Sequence, residues 1–176
     1  MPEEQILWIR QLKKGNELAA FNLYNVYSKA MYNTLIRLTN DSESAKDLLQ
    51  EAFIKAFQSI EGLENPHAFG GWLKRIVVNK GLEHLRKNKV VFEDVETQPD
   101  LLNEELDDRL IDDTTLHEAI KTLPDGCRNV FCLHLLEGFK HREIAEQLGI
   151  SESTSKTQFR HAKVLLKKKL EHYYAN

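Results

Sequence analysis

The sequence predicts an all-α protein in which two small helical domains are joined by a flexible acidic linker. Three observations predict it. Apolar residues recur at three- and four-residue spacing through most of the chain. No segment alternates as a strand would, and four prolines and eight glycines in 176 residues are few for a turn-rich all-β fold. Between the two periodic parts lies an acidic stretch with no sustained period. The expected boundaries are 1–90 for the first domain, 91–113 for the linker and 114–176 for the second domain.

The elements follow in order. Ile6, Ile9 and Leu12 share one face of a first helix, which Gly15 interrupts. Ala19, Leu23, Val26, Tyr27, Ala30 and Met31 define a second. Asn40-Asp41-Ser42 is a turn able to cap the next helix. That helix has the clearest period in the chain: Ala45, Leu48, Leu49, Ala52, Phe53, Ala56, Phe57 and Ile60. A loop from Gly62 to Pro66 precedes a helix begun by Phe69, Trp72, Leu73, Ile76 and Val77. Segment 91–113 contains Pro99 and is read as the linker, with room for a helical turn. Helical signal returns at Leu116, Ala119 and Ile120. Leu123-Pro124-Asp125-Gly126 is a turn, and Cys127 to Leu136 is apolar on nearly every face, which predicts a buried helix ended by Gly138. Helices over Arg142–Leu148 and from Ser151 to about Leu170 complete the chain.

Charge is segregated although the net value is only −3. Trp72 to Lys89 holds six Lys/Arg against one Glu, Glu93 to Asp113 ten Asp/Glu against one Arg, and Lys140 to Leu170 eight Lys/Arg against three Glu. Two basic blocks thus flank an acidic one, a pattern that speaks to partners rather than to fold. Hydrophobic residues make up 41% of the chain, enough for packed cores. No apolar run approaches the roughly 20 residues that span a bilayer. Met1 to Arg10 lacks the basic start and apolar core of a secretory signal, so the protein is expected in the cytoplasm. Cys127 and Cys132 on one helix would point about 140° apart, which argues against a mutual disulfide. No Cys/His spacing suits a metal, and nothing implies a cofactor.

The sharpest local pattern is Glu143-Ile144-Ala145-Glu146-Gln147-Leu148-Gly149-Ile150-Ser151, which reads as helix-turn-helix. Ala145 permits close helix approach, Gly149 supplies the turn's positive φ, and Ser151 can cap the second helix. On that helix Ser155, Phe159, Ala162 and Leu166 face inward, while Lys156, Arg160, Lys163 and Lys167 form a basic stripe. A helix of this kind fits the DNA major groove; the plainer alternative is a helical hairpin with a solvated face. A second constellation lies between Phe69 and Lys80. Arg75, Asn79 and Arg86 project to one side, and Phe69, Trp72 and Ile76 line another. Basic groups beside aromatics suit unstacked nucleic acid, though an aromatic stripe at helical spacing is more often core. Asp47, Gln50 and Glu51 share a polar helix side that by itself is only a solvated face.

In order and spacing these pieces resemble the extracytoplasmic-function group of bacterial RNA polymerase sigma factors over nearly the whole chain. The matching stretches are Asp47-x-x-Gln50-Glu51-x-Phe53; Phe69-x-x-Trp72-Leu73-x-x-Ile76-x-x-Asn79 with Arg86-Lys87 following; Leu123-Pro124; and Glu137-Gly138-x-x-x-x-Glu143-Ile144-Ala145-x-x-Leu148-Gly149-x-Ser151-x-x-Thr154-x-Lys156. The resemblance implies that domain 1–90 is the one that docks on core polymerase and melts the minus-ten element, and that 114–176 reads the minus-thirty-five element. Asp47, Gln50, Glu51 and Phe53 would bind core polymerase. Asn65, His67, Phe69, Trp72, Arg75, Asn79, Lys80, Arg86 and Lys87 would serve minus-ten recognition and melting, with the loop near Asn65 to Phe69 holding a flipped-out base. Arg142, Ser151, Ser153, Thr154, Lys156, Thr157, Arg160 and Lys163 would serve the minus-thirty-five element. The partners implied are core polymerase, promoter DNA and an anti-sigma protein, often membrane-bound; the acidic linker would occupy the RNA-exit path. No catalysis is implied.

Departures from the family pattern carry expectations of their own. Lys140 stands where Ser or Thr is usual, so that helix should lose a side-chain N-cap, worth about 1 kcal/mol. Ser155 stands where Val is usual, and its inward hydroxyl should bond to backbone or loosen the packing. Glu83 replaces the more usual Asp. Three other readings compete: a DNA-binding regulator that dimerises through its N-terminal domain, an enzyme acting on nucleic acid, and a protein-binding helical adaptor. The first leaves the basic block near Arg75 unexplained, the second lacks a nucleophile–base pair or phosphate loop, and the third leaves the basic second helix unexplained.

Overall fold

The computed structural model describes residues 2–90, 92 and 113–174. The expected linker, 91–113, falls outside the described residues except for Phe92 and the backbone of Asp113. The described elements are α1 (Glu3–Leu12), α2 (Glu17–Thr39), α3 (Ser42–Gln58), α4 (Phe69–Lys87), α5 (Asp113–Lys121), α6 (Asp125–Phe131), α7 (His141–Leu148) and α8 (Glu152–Tyr174). Short 3-10 turns at Ile60–Gly62 and Pro66–Ala68 join α3 to α4. Among the described residues there is no strand. Packing divides the chain into two compact units, Met1–His84 and Leu85–Asn176, a division that falls inside α4.

In the first unit α2 packs on both α1 and α3. Local chemistry sets the helix ends. The Asn16 side chain accepts a hydrogen bond from the Ala19 N–H at 3.1 Å, and Asp41 accepts one from Ser44 at 2.8 Å, so both helices begin at side-chain caps. The Ser44 bond also holds the Asp41 carboxyl below the usual carboxylate range. Asn40 closes α2 in the left-handed conformation at φ 53°. The core joins Ile9, Leu23 and Leu35 to the α3 stripe of Ala45, Leu48, Leu49, Ala52, Phe53 and Ala56, and to Phe69, Leu73 and Val77 of α4. A Cβ added to Gly81 would lie 2.8 Å from the Leu38 side chain, so glycine is what lets α4 approach α2 there.

In the second unit α8 packs against α5, α6 and α7. The turn expected over residues 123–126 is shorter: Leu123-Pro124 turns the chain, and α6 already begins at Asp125. The single buried helix expected from Cys127 to Leu136 is different in detail. α6 ends at Phe131, and Cys132–Leu136 forms a wider π turn closed by Glu137 N–H to Cys132 O at 3.1 Å. Cys127 to Leu133 are buried, but Leu135 is 54% exposed. Nor is the buried run wholly apolar. Arg128, 2% exposed, extends to Asp125 Oδ1 at 2.6 Å and donates to the Leu123 carbonyl at 3.2 Å. Cys127 and Cys132 are both buried, and neither is in a disulfide.

Candidate nucleic-acid interface

The helix-turn-helix is built by α7, the turn at Gly149 and α8. Lys140 precedes α7 in extended conformation and has no side-chain acceptor with which to cap it. The end is compensated from the other direction: Glu143 Oε2 accepts the Lys140 backbone N–H at 2.7 Å, half of a capping box. The expected loss of a cap is therefore partial. Ile144 and Ala145 are buried, and Gly149 takes φ 68°, the conformation that turns the chain into α8. Ser151 Oγ then accepts the Thr154 N–H at 3.0 Å and caps α8. The same hydroxyl lies 2.7 Å from Ser153 Oγ and 2.8 Å from Thr154 Oγ1, giving a hydroxyl cluster at the helix start.

The two sides of α8 are cleanly sorted. Ser151, Ser153, Lys156 and Arg160 are exposed; Thr154, Thr157 and Lys163 are half-buried. Lys156 pairs with Glu152 at 2.6 Å, and that bond holds the Glu152 carboxyl below its usual range. Lys163 Nζ sits 5.2 Å from the Phe159 ring centroid. Arg142 on α7 is exposed, 3.4 Å from Glu146. Such exposed pairs are weak enough to exchange for phosphate.

On the inward side are Ser155, Gln158, Ala162 and Leu166. Ser155 neither bonds to backbone nor loosens the packing, in contrast to the expectation. Its hydroxyl is fully buried and hydrogen-bonded to His141 Nδ1 at 2.9 Å. His141 stacks on His134 with centroids 4.1 Å apart, and His134 donates from Nδ1 to the Phe139 carbonyl at 2.8 Å. Burial, then the neighbouring His134 and Lys156, push the His141 pKa below its ordinary value, against a smaller opposing pull from Glu152. Gln158 accepts from the Cys127 thiol at 3.0 Å. Sequence reasoning missed Gln158, His134 and His141. Gln158 could have been found, since it sits three residues after Ser155 and four before Ala162 on the inward stripe.

Around α4 the candidates separate into exposed and buried sets. His67, Arg75, Asn79, Arg86 and Lys87 are exposed. Exposed Asn65 uses Oδ1 to accept the His67 N–H at 3.0 Å and so shapes the short 3-10 turn before α4. Trp72 is half-buried against the core. Phe69 is fully buried, its ring edge-on to Tyr27 at 5.2 Å, so it is a core residue and not the surface contact expected. Lys80 is half-buried and donates to Glu51 Oε2 at 2.8 Å, with Glu83 at 3.9 Å; the Glu51 acceptor raises its pKa. On α3, Asp47, Gln50 and Glu51 are exposed as expected of a polar side. Phe53 is 3% exposed, 4.8 Å from the Tyr24 ring and 5.6 Å from that of Phe57, so it is a core residue and not a surface contact. Among the described residues no group of His, Cys, Asp and Glu is placed to hold a metal ion, and no helix is long and apolar enough to cross a membrane.

Comparison with known proteins gives the same order of parts. Residues 23–90 match the family model of sigma-70 region 2, and residues 114–166 match sigma-70 region 4. The chain is 29% identical over 182 residues to the ECF RNA polymerase sigma factor SigW of Bacillus subtilis, covering 92% of this chain and 94% of that one. It is 26% identical over 183 residues to the RNA polymerase sigma-H factor of Pseudomonas aeruginosa, covering 93% and 92%. Among solved structures, CnrH in complex with the cytosolic domain of CnrY shares the fold, with a TM-score of 0.51 at 19% identity over 96% of this chain and 97% of that one.

Proposed function

The chain belongs to the extracytoplasmic-function group of sigma-70 factors, which direct RNA polymerase to start transcription at promoters, and from that premise we propose a division of labour between its two units. The second unit reads the minus-thirty-five element. The observation that carries this is the sorting of α8: Ser151, Ser153, Lys156 and Arg160 stand exposed on one side while Ser155, Gln158, Ala162 and Leu166 are buried on the other. Its N-terminal hydroxyls and Lys156 reach base edges, and Arg160, Lys163 and Arg142 meet phosphate. The first unit uses Asn65 and His67 to receive the displaced minus-ten base. Along α4, Arg75, Asn79, Lys80, Arg86 and Lys87 hold the opened strand, with Trp72 on the same helix. The polar edge of Asp47, Gln50 and Glu51 docks on core polymerase.

On this reading 1–90 and 114–176 are the working domains, and 91–113 is a linker whose acidity mimics nucleic acid. The family is a non-catalytic regulator; this chain, on the same reading, acts without catalysis and in the cytoplasm. An anti-sigma protein covers the polymerase-facing edge and the second unit when transcription is off. CnrH, solved in complex with the cytosolic domain of CnrY, is in keeping with such control.

Run-off transcription from a promoter library tests the division. With core polymerase, the chain should start transcripts at defined sites, while the chain alone should bind the same DNA poorly. Tight sequence-specific binding by the isolated chain, with no transcripts from the mixture, would replace this reading by that of a free-standing regulator.

A further inference from the structure

We propose that Lys13 is a positioning residue for minus-ten recognition: from the end of α1 its ammonium pins the Leu63 carbonyl, and so fixes the loop that presents Asn65 and His67. The inference rests on the assignment of that loop to the displaced base. It concerns a part of the chain that precedes the matched region 2 segment, which begins at residue 23.

The loop cannot position itself. Its backbone bonds, Gly62 to Ser59 at 3.1 Å, Leu63 to Ile60 at 3.1 Å and Ala68 to Asn65 at 3.0 Å, each reach only three residues back. They set its curl. Its seat on the domain comes from the buried side chains of Ile60, Leu63 and Phe69 and from Lys13 Nζ, which donates to Leu63 O at 2.7 Å across fifty residues of sequence. The Leu63 side chain is 4% exposed, so the residue is held at both its side chain and its carbonyl, two positions before Asn65. Lys13 is well placed for this role. It caps the C-terminus of α1, where unpaired carbonyls favour a positive charge, and it is half-buried. The far end of the loop is tied to the same helix. Phe69 lies edge-on to Tyr27, and the Tyr27 hydroxyl donates to Gln5 Oε1 of α1 at 2.9 Å. Helix α1 therefore holds the near end of the loop directly through Lys13 and the far end through Tyr27 of α2.

A test uses the full chain with core polymerase on premelted promoters that differ at one minus-ten base. Lys13→Met should reduce the preference for the favoured base by roughly tenfold, the scale of a lost charge-assisted hydrogen bond. Core affinity and minus-thirty-five preferences should stay those of the parent, melting temperature should fall only modestly, and Lys13→Arg should restore most of the preference. Tyr27→Phe, which keeps the ring and removes the hydroxyl, should cost about two- to threefold at the same position, and serves as the readout if Lys13→Met melts early. Equal weakening on every minus-ten sequence, or an unchanged preference in both variants, overturns the role of Lys13. Asn65→Ala separates the two levels. If it too leaves the preference intact, the loop assignment itself falls. If it abolishes the preference while Lys13→Met and Tyr27→Phe do not, only the positioning role falls.

Discussion

The two units bury different chemistry. The first closes around an apolar and aromatic stripe, Leu48, Leu49, Phe53, Phe69 and Leu73, with rings meeting edge-on. The second places polar groups inside: Arg128, Asn129, Ser155 and Gln158 are all at most 2% exposed. Burial of apolar area is non-directional and tolerant of small shifts, whereas a buried polar group is satisfied only in one geometry. The first unit, which we propose opens DNA, is held by packing. The second, proposed to present one side of α8 to a groove, has that helix tied to its neighbours by Ser155 to His141 and Gln158 to Cys127.

The largest effect should come from the apolar side. Leu49→Ala, at a position 6% exposed, should destabilise the first unit by about 2–5 kcal/mol in denaturant unfolding. A loss below 1 kcal/mol would mean that the stripe is not what holds this unit together. Next, the edge beside that stripe should behave oppositely. Replacing Asp47, Gln50 and Glu51 together by Ala should move stability by under about 0.5 kcal/mol per site, yet cost about 2 kcal/mol or more of core-polymerase affinity in a titration. A folded triple variant that binds core like the parent would remove docking from α3.

On α8, Lys156→Ala and Arg160→Ala should leave the fold intact and alter use of the upstream element. A base contact should cost roughly 1–3 kcal/mol of discrimination at one position, and a phosphate contact should weaken all sequences alike. Promoter titrations that show neither pattern would reject the groove assignment. Smaller again, Ser155→Val should destabilise the second unit by about 1 kcal/mol, because it leaves the half-buried His141 nitrogen without its hydroxyl partner. A gain in melting temperature would show that apolar packing governs this unit after all.

The smallest effect separates the units by pH. His141 has its folded pKa depressed below the ordinary value of 6.5, chiefly by burial, so the unfolded chain takes up the proton more readily. That contribution to stability is fully present above about pH 6.5 and is lost as pH falls through the lower folded pKa. Unfolding of the second unit, followed from pH 7.5 to about 5, should show this loss, and His141→Gln should remove its His141 component. An identical pH slope in the variant would place the effect elsewhere.

Much of this was legible in the sequence. The 3.6-residue period of α3 named its buried stripe residue by residue, because a helix face is fixed by spacing alone. Asn40, Asp41, Gly149 and Ser151 announced helix ends through local chemistry that needs no distant partner. The paired basic blocks and the order of motifs carried the family. What spacing could not give was the content of a neighbour. The period put Phe53 in the α3 stripe but left Phe69 as either a core or a surface ring; the arrival of Tyr27 from α2 made it core. Spacing says that Ser155 points inward, but the partner is His141, fourteen residues away on another helix. It cannot bring Lys13 to a carbonyl fifty residues on. Local conformational preference and periodicity are written along the chain, and the sequence by itself determined most of the helices and their buried sides, though not the π turn at Cys132–Leu136. Which polar group satisfies which depends on side chains brought together by packing between helices, and that the tertiary structure alone decided.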